Sequence, residues 1–419
     1  MTKYYKYLLI FLLLGLVVML SFNRGYADMV EGSGTDWELI DSPWPTHGHD
    51  FQRTNRSPYI GLENGAHVHW RQGFYGVMSH SLTVGIDGLI YAKSVYTYGF
   101  TPDGELVRAD LPGGSCFSTP THLNNGHIYY ATTYSWIGVH TSGSLLWEYG
   151  FPAGCFHFTP AITKTGIGYF LFSPYVYAFD LNTHQLLWTY LMAGWTSMAL
   201  AHDDTLYVSG LYGSLVALNP DGSIKWERKD FPSTGYLYRT IVMAVGDDDT
   251  IYSSRFKDAN LDGLPDNNLD TIRALDMNSN ALWDFTLNPG EWSCGLALTT
   301  DSTLYITTSS ITNTEGVTLY SVASDGTLNW SRSLPTYYAC GGPVTDNVGN
   351  VYVCGRNGRC YGFNAAGETL WDVLIWPNEW LESYPLIFAD GQMFIPLTNG
   401  VIALAEGNPD LSFIPFMHR

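Results

Sequence analysis

Charge is scarce in this chain. Of its 419 residues only 14% are Asp, Glu, Lys or Arg, and acids outnumber bases 39 to 20, giving a formal net charge of −19. A surface this acidic repels phosphate backbones and anionic headgroups, which excludes nucleic acid and anionic membrane surfaces as partners. Helical periodicity is missing beyond the extreme N-terminus, and no second apolar stretch approaches membrane length, so neither a helix bundle nor stable membrane insertion is expected. Several chemical signatures are missing too: there is no Gly-x-Ser-x-Gly elbow, no His-Glu-x-x-His zinc site and no phosphate-binding loop.

Aromatic residues make up 15% of the sequence and there are 43 glycines, a balance that suits stacked sheets and tight turns rather than disorder. Residues 1–27 read as a signal peptide. Lys3 and Lys6 start it, an apolar or small run extends from Leu8 to Phe22, and Gly25 and Ala27 supply small residues before a cleavage point. No Cys follows the apolar run, so a bacterial lipoprotein anchor is not expected, and the protein is placed in a periplasm or outside the cell. The remaining divisions are a lead-in segment over 28–64, a repeat region over 65–406 and a tail over 407–419.

The repeat region carries two ladders. An aromatic recurs at Tyr91, Tyr129, Tyr169, Tyr207, Tyr252, Tyr305, Tyr352 and Phe394. The end of each repeat falls at Trp70, Arg108, Trp147, Trp188, Trp226, Trp283, Trp330 and Trp371. The tryptophan ladder starts one rung early and the aromatic ladder ends one rung late. A closed ring explains that offset, with the strand around Trp70 completing the last repeat. The expected fold is therefore all-β, an eight-bladed β-propeller of four-stranded antiparallel blades closed by the N-terminal strand around Trp70. Arg108 interrupts the tryptophan series, and a looser junction is expected there.

The second half of each repeat resembles the tryptophan-docking motif A-x-D-x-x-T-G-x-x-x-W of the pyrroloquinoline-quinone-like (quinoprotein-type) propeller family. The stretch from Ala178 through Asp180 and Thr183 to Trp188 matches except at His184, which stands in the Gly place. Tighter versions run from Ala217 to Trp226, Ala274 to Trp283 and Gly362 to Trp371. The lead-in from Trp44 to Ser57, with Pro45, Asp50, Arg53 and Thr54, is also similar to that of many members. The resemblance implies an eight-bladed ring. Catalytic members hold pyrroloquinoline quinone and calcium in the channel. The adjacent Cys pair that would stack on the quinone is missing here, so the resemblance is closer to non-catalytic members that bind a partner protein through rim loops.

Position on the ring also sorts the six cysteines. Cys116 with Cys155, and Cys294 with Cys340, fall on the same rim of adjacent blades, while Cys354 and Cys360 flank a hairpin. Three disulfides in an exported protein are the favoured pairing, with a thiolate metal site as the alternative. The longest insertion contains Asp258, Asn260, Asp262, Gly263, Leu264, Asp266 and Asp270, the front of a calcium loop without its terminal Glu. Alternating oxygen ligands, a tight Gly turn and the Leu264 carbonyl would hold a structural calcium ion.

Reading back from each innermost strand gathers a channel rim. His80, His157, Trp195, Arg239, Trp292, Trp380 and Glu382 are the candidate ligand-binding residues, suited to a polar, flat or sugar-like surface. The functional expectation is an exported monomeric binding or scaffold module, non-catalytic, that meets a protein partner or a glycan at its channel rim. The alternatives are a pyrroloquinoline-quinone-dependent dehydrogenase and a carbohydrate-active enzyme, the latter using a carboxylate pair such as Glu291 and Glu382.

Overall fold

The computed structural model describes residues 36–76, 81–113, 118–151, 159–172, 174–192, 197–210, 214–229, 243–255, 271–310, 316–336, 342–375 and 384–407. Among them are thirty-two strands and no helix. The strands form eight four-stranded antiparallel sheets. The first strands of blades 1 to 8 are Thr83–Val84, Thr121–His122, Ala161–Ile162, Ser197–Leu200, Met243–Val245, Glu291–Leu298, Val344–Thr345 and Leu386–Ile387. From blade 3 through blade 7 the first strand of each blade touches that of the next, which lines these strands along a central channel.

Seven blades take their strands in chain order. In the eighth, Ala66–Gly73 pairs with Gly400–Glu406 and supplies the outermost strand. Trp70 lies opposite Ala403 in that pair, so the ring closes where the offset ladders predict.

The ladders meet as a repeated contact. The small residue in the third strand lies opposite the docking residue: Gly138 faces Trp147, Ala178 faces Trp188, Ala217 faces Trp226, Ala274 faces Trp283 and Gly362 faces Trp371. The second-strand tyrosine then tilts onto that indole, with ring centroids 5.7 Å apart for Tyr169 and Trp188, Tyr207 and Trp226, and Tyr305 and Trp330. The indole N–H groups of Trp70, Trp188, Trp226, Trp283 and Trp330 cross to a main-chain carbonyl of the following blade, and that of Trp371 goes to the Leu62 carbonyl of the lead-in. Trp70 donates to Pro102 at 2.7 Å, Trp188 to Pro220 at 3.0 Å, Trp283 to Ser324 at 2.8 Å and Trp330 to Ala365 at 2.9 Å. This buries a large ring while satisfying its one polar atom. Just before the docking residue the outer-strand pairing slips by one residue in blades 2 to 7, a bulge that bends the edge strand.

The glycine of the following turn is the seat for the indole. Gly222 has φ +84, and a Cβ there would come within 2.8 Å of the Trp188 ring. In blade 3 the seat is His184, with φ 59, and its imidazole stacks on Trp147 at 6.2 Å and 24°. The Arg108 junction is not the loose one expected. Its Nη1 reaches the Thr141 carbonyl at 2.6 Å, the same kind of bond the indoles make, and its Nε and Nη2 hold the two oxygens of Asp110 at 2.9 and 3.0 Å.

Candidate functional site

One end of the channel is closed by the chain itself. The last residue of the first strand in each of six blades donates its amide inward: Val84, His122, Leu200, Val245, Leu298 and Thr345 bond to the carbonyls of Trp44, Pro45, Phe51, Gln52, Thr54 and Asn55 at 2.8–3.0 Å. Those strand ends carry unused donors that must be satisfied, and the lead-in supplies a carbonyl to each as it turns across the opening. Blade 7 adds a return bond, Ser57 N to the Thr345 carbonyl at 2.7 Å. The segment is then fastened to blade 8, where a Glu406 oxygen accepts from the Asn64 amide at 2.9 Å. To follow this path Gly48, His49, Arg53 and Asn55 all take positive φ.

Blade 3 is tied in by Arg53. Its guanidinium is buried and donates to the carbonyls of Thr159 and Pro160 at 3.1 and 3.2 Å, and to those of His47 and Asp50 at 2.6 and 3.3 Å. Burial lowers its pKa to about 10 against the opposing effect of Asp50, so it stays charged at neutral pH. Burial alone would raise Asp50, but His49 and two bonds from Thr54 outweigh it and hold that carboxyl below its ordinary value.

Above this floor the described wall is rich in hydroxyls. Thr46 bonds to Thr121 at 2.9 Å, His47 to Ser81 at 2.9 Å, and the Thr159 hydroxyl takes the Thr119 amide at 3.0 Å. His122 is fully buried, with Nε2 3.0 Å from the Thr83 hydroxyl, and burial followed by the charge of Arg108 pushes its pKa down to about 3. It is therefore a neutral wall residue and not a proton carrier near pH 7.

Seven rim residues were expected from the sequence, and the structure describes one of them. Of the seven, Trp292 lies in the described structure, half-buried on Glu291–Leu298. His80, His157, Trp195, Arg239, Trp380 and Glu382 lie outside the described residues. Glu291 is engaged within its own blade: its two oxygens accept the Thr318 and Tyr320 hydroxyls. Cys354 and Cys360 form the expected disulfide. Cys294 is buried, while Cys116, Cys155 and Cys340 lie outside the described residues, as do Asp258, Asn260, Asp262, Leu264, Asp266 and Asp270. Among the described residues no group of three or more His, Cys, Asp or Glu side chains is placed to hold a metal ion, and no helix is long and apolar enough to cross a membrane.

The floor is what sequence reasoning missed. Its bonds run mostly through main-chain carbonyls, which leave no side-chain signature. Its side-chain trace is Arg53, which with Arg56 makes up the Lys and Arg of residues 28–64.

Comparison with known proteins agrees with the propeller fold. The family described as outer membrane protein assembly factor BamB matches residues 173–262 and 269–404. No curated protein sequence matches the chain. Among solved structures, a europium-containing methanol dehydrogenase superposes with a TM-score of 0.64 at 12% identity, covering 86% of this chain and 90% of that one. BamB from Moraxella catarrhalis superposes with a TM-score of 0.58 at 14% identity, covering 84% and 99%. A streptogramin B lyase superposes with a TM-score of 0.51 at 11% identity, covering 82% and 99%. Identities this low show a shared fold and leave chemistry to the site.

Proposed function

This chain belongs to the outer membrane protein assembly factor BamB family of pyrroloquinoline-quinone-like propellers, and from that membership we propose that it is an exported, non-catalytic binding or scaffold module, working as a monomer in a periplasm or outside the cell. The observation that carries this reading is the closed floor. With one mouth crossed by the lead-in and bonded to six blades, a partner meets side chains from many blades at once by approaching the other rim. The contacts proposed for that rim are His80, His157, Trp195, Arg239, Trp292, Trp380 and Glu382, with the insertion between Trp226 and Trp283. Loops on a rigid scaffold suit recognition, because their sequence varies without disturbing the core.

The partner we propose is a protein, with a glycan as the alternative occupant of an aromatic rim. The loop from Asp258 to Asp270 is proposed to hold a structural calcium ion that stiffens the insertion. Calorimetry against a chelated sample checks that ion, and no heat of binding would remove it.

The rim is tested by reconstitution. A partner identified by photo-crosslinking from position 292 is purified and its affinity measured for the unaltered protein and for Arg239→Ala and Glu382→Ala. The expected result is a loss of about tenfold or more in both variants. Full affinity in both would overturn the rim as the binding surface.

A further inference from the structure

The same aromatic motif occurs at two seams of the ring. The third strand of blade 1, Tyr96–Phe100, places Tyr96, Tyr98 and Phe100 on the face toward blade 8. The third strand of blade 3, Tyr175–Asp180, places Tyr175, Tyr177 and Phe179 on the face toward blade 2. The register makes them equivalent, since Gly99 lies opposite Arg108 and Ala178 opposite Trp188.

The chain covers one of these seams itself. At blade 1, Phe74 stacks on Tyr98 at 5.0 Å and 21°. The next residue, Tyr75, gives its carbonyl to the Tyr98 hydroxyl at 3.1 Å and to the Ser94 hydroxyl at 3.3 Å. Tyr98 is left 6% exposed.

At blade 3 the covering ring is drawn elsewhere. Phe151 stands four residues past its docking tryptophan, as Phe74 does, but it stacks on Phe172 at 4.8 Å and 22°. Phe172 occupies the place of Ser94. Tyr177 therefore keeps a half-buried ring, touched by Tyr149 at 6.2 Å in a tilted geometry, and its hydroxyl has no acceptor among the described residues. Burial first, and then Tyr149 and Tyr175, push that phenol above its ordinary pKa, so it stays a protonated donor. Beside it Tyr175 is 39% and Leu191 62% exposed, and the two lie opposite each other in the sheet. An apolar strip with a waiting donor is the complement of what Phe74 and Tyr75 provide at the other seam.

We propose that the seam between blades 2 and 3 is a docking groove for an extended peptide of a partner protein, presenting an aromatic side chain that stacks on Tyr177 and, one residue on, a main-chain carbonyl that accepts its hydroxyl. The groove lies on the outer wall and includes none of the rim residues, so it stands or falls independently of them.

The probe is the chain's own covering sequence, the fluorescein-labelled peptide Gly-Phe-Tyr-Gly with blocked ends, followed by anisotropy against the full protein. The expected result is saturable binding that Gly-Ser-Ser-Gly does not show. Leu191→Glu abolishes it and Tyr177→Phe weakens it by up to about tenfold, the worth of one hydrogen bond. Unchanged thermal midpoints in both variants show that the fold is intact, and Arg239→Ala leaves peptide binding unaltered. Absence of saturable binding, equal binding by Leu191→Glu, or binding of maltohexaose at this seam without binding of the peptide would each overturn the proposal.

Discussion

Replacing Arg53 by Met keeps the length of the side chain and removes every donor it carries. Four carbonyls, those of His47, Asp50, Thr159 and Pro160, then lose partners they hold within 3.3 Å. The buried Asp50 also loses the guanidinium that opposes its charge. Removing one member of such a buried polar set costs about 3–5 kcal/mol. The loss falls on the floor first, because blade 3 is held to the lead-in through this side chain. Hydrogen exchange read by mass spectrometry is the suitable assay. The amides of Val84, His122, Leu200, Val245, Leu298 and Thr345 donate to the lead-in, so a local opening made about 3 kcal/mol easier speeds their exchange by about two orders of magnitude. Arg53→Lys keeps the charge but not the fork of donors and falls between the two. Exchange at these six amides unchanged in Arg53→Met, with an unchanged denaturant midpoint, would refute the idea that Arg53 ties the floor together.

Gly222→Ala puts a methyl at φ +84 and within 2.8 Å of the Trp188 ring; a loss of about 1–3 kcal/mol in chemical unfolding is expected, and a neutral result would mean that the indole does not rest on that turn. His122 remains neutral in the folded protein down to about pH 3, whereas the unfolded chain takes up the proton below about pH 6.5. Stability contributed by this group is therefore complete above that upper value and is lost as pH falls toward 3, by about 1.4 kcal/mol per unit. His122→Gln is expected to flatten the stability profile in that window, and parallel profiles would contradict it. Peptide mapping without reduction should find Cys116 joined to Cys155 and Cys294 to Cys340, alongside the Cys354–Cys360 bridge; free thiols at those four positions would refute the pairing by ring neighbourhood.

The ring was legible because the residues that repeat are the residues that touch. Tyr169, Trp188 and Ala178 are spaced by the blade and packed against one another, so the ladder in the sequence is the ladder in the core. Closure at Trp70 was legible for the same reason. The Arg108 junction was misread, because a break in side-chain type hid a bond to the same kind of carbonyl acceptor. The floor left little beyond Arg53 to read, since Trp44, Pro45, Phe51, Gln52, Thr54 and Asn55 contribute carbonyls that any residue would supply. Nor could the open seam be found in the sequence. Tyr175, Tyr177 and Phe179 read as ordinary strand alternation, and whether Tyr177 is covered depends on where Phe151 of the neighbouring blade turns.

The most direct test of a ring that binds rather than oxidises is dye-linked turnover by the purified protein supplied with pyrroloquinoline quinone and calcium, across alcohols and sugars. A non-catalytic rim predicts dye reduction no faster than in the protein-free control. Quinone-dependent turnover that disappears on replacing Arg239 or Glu382 would contradict it and make the protein a dehydrogenase.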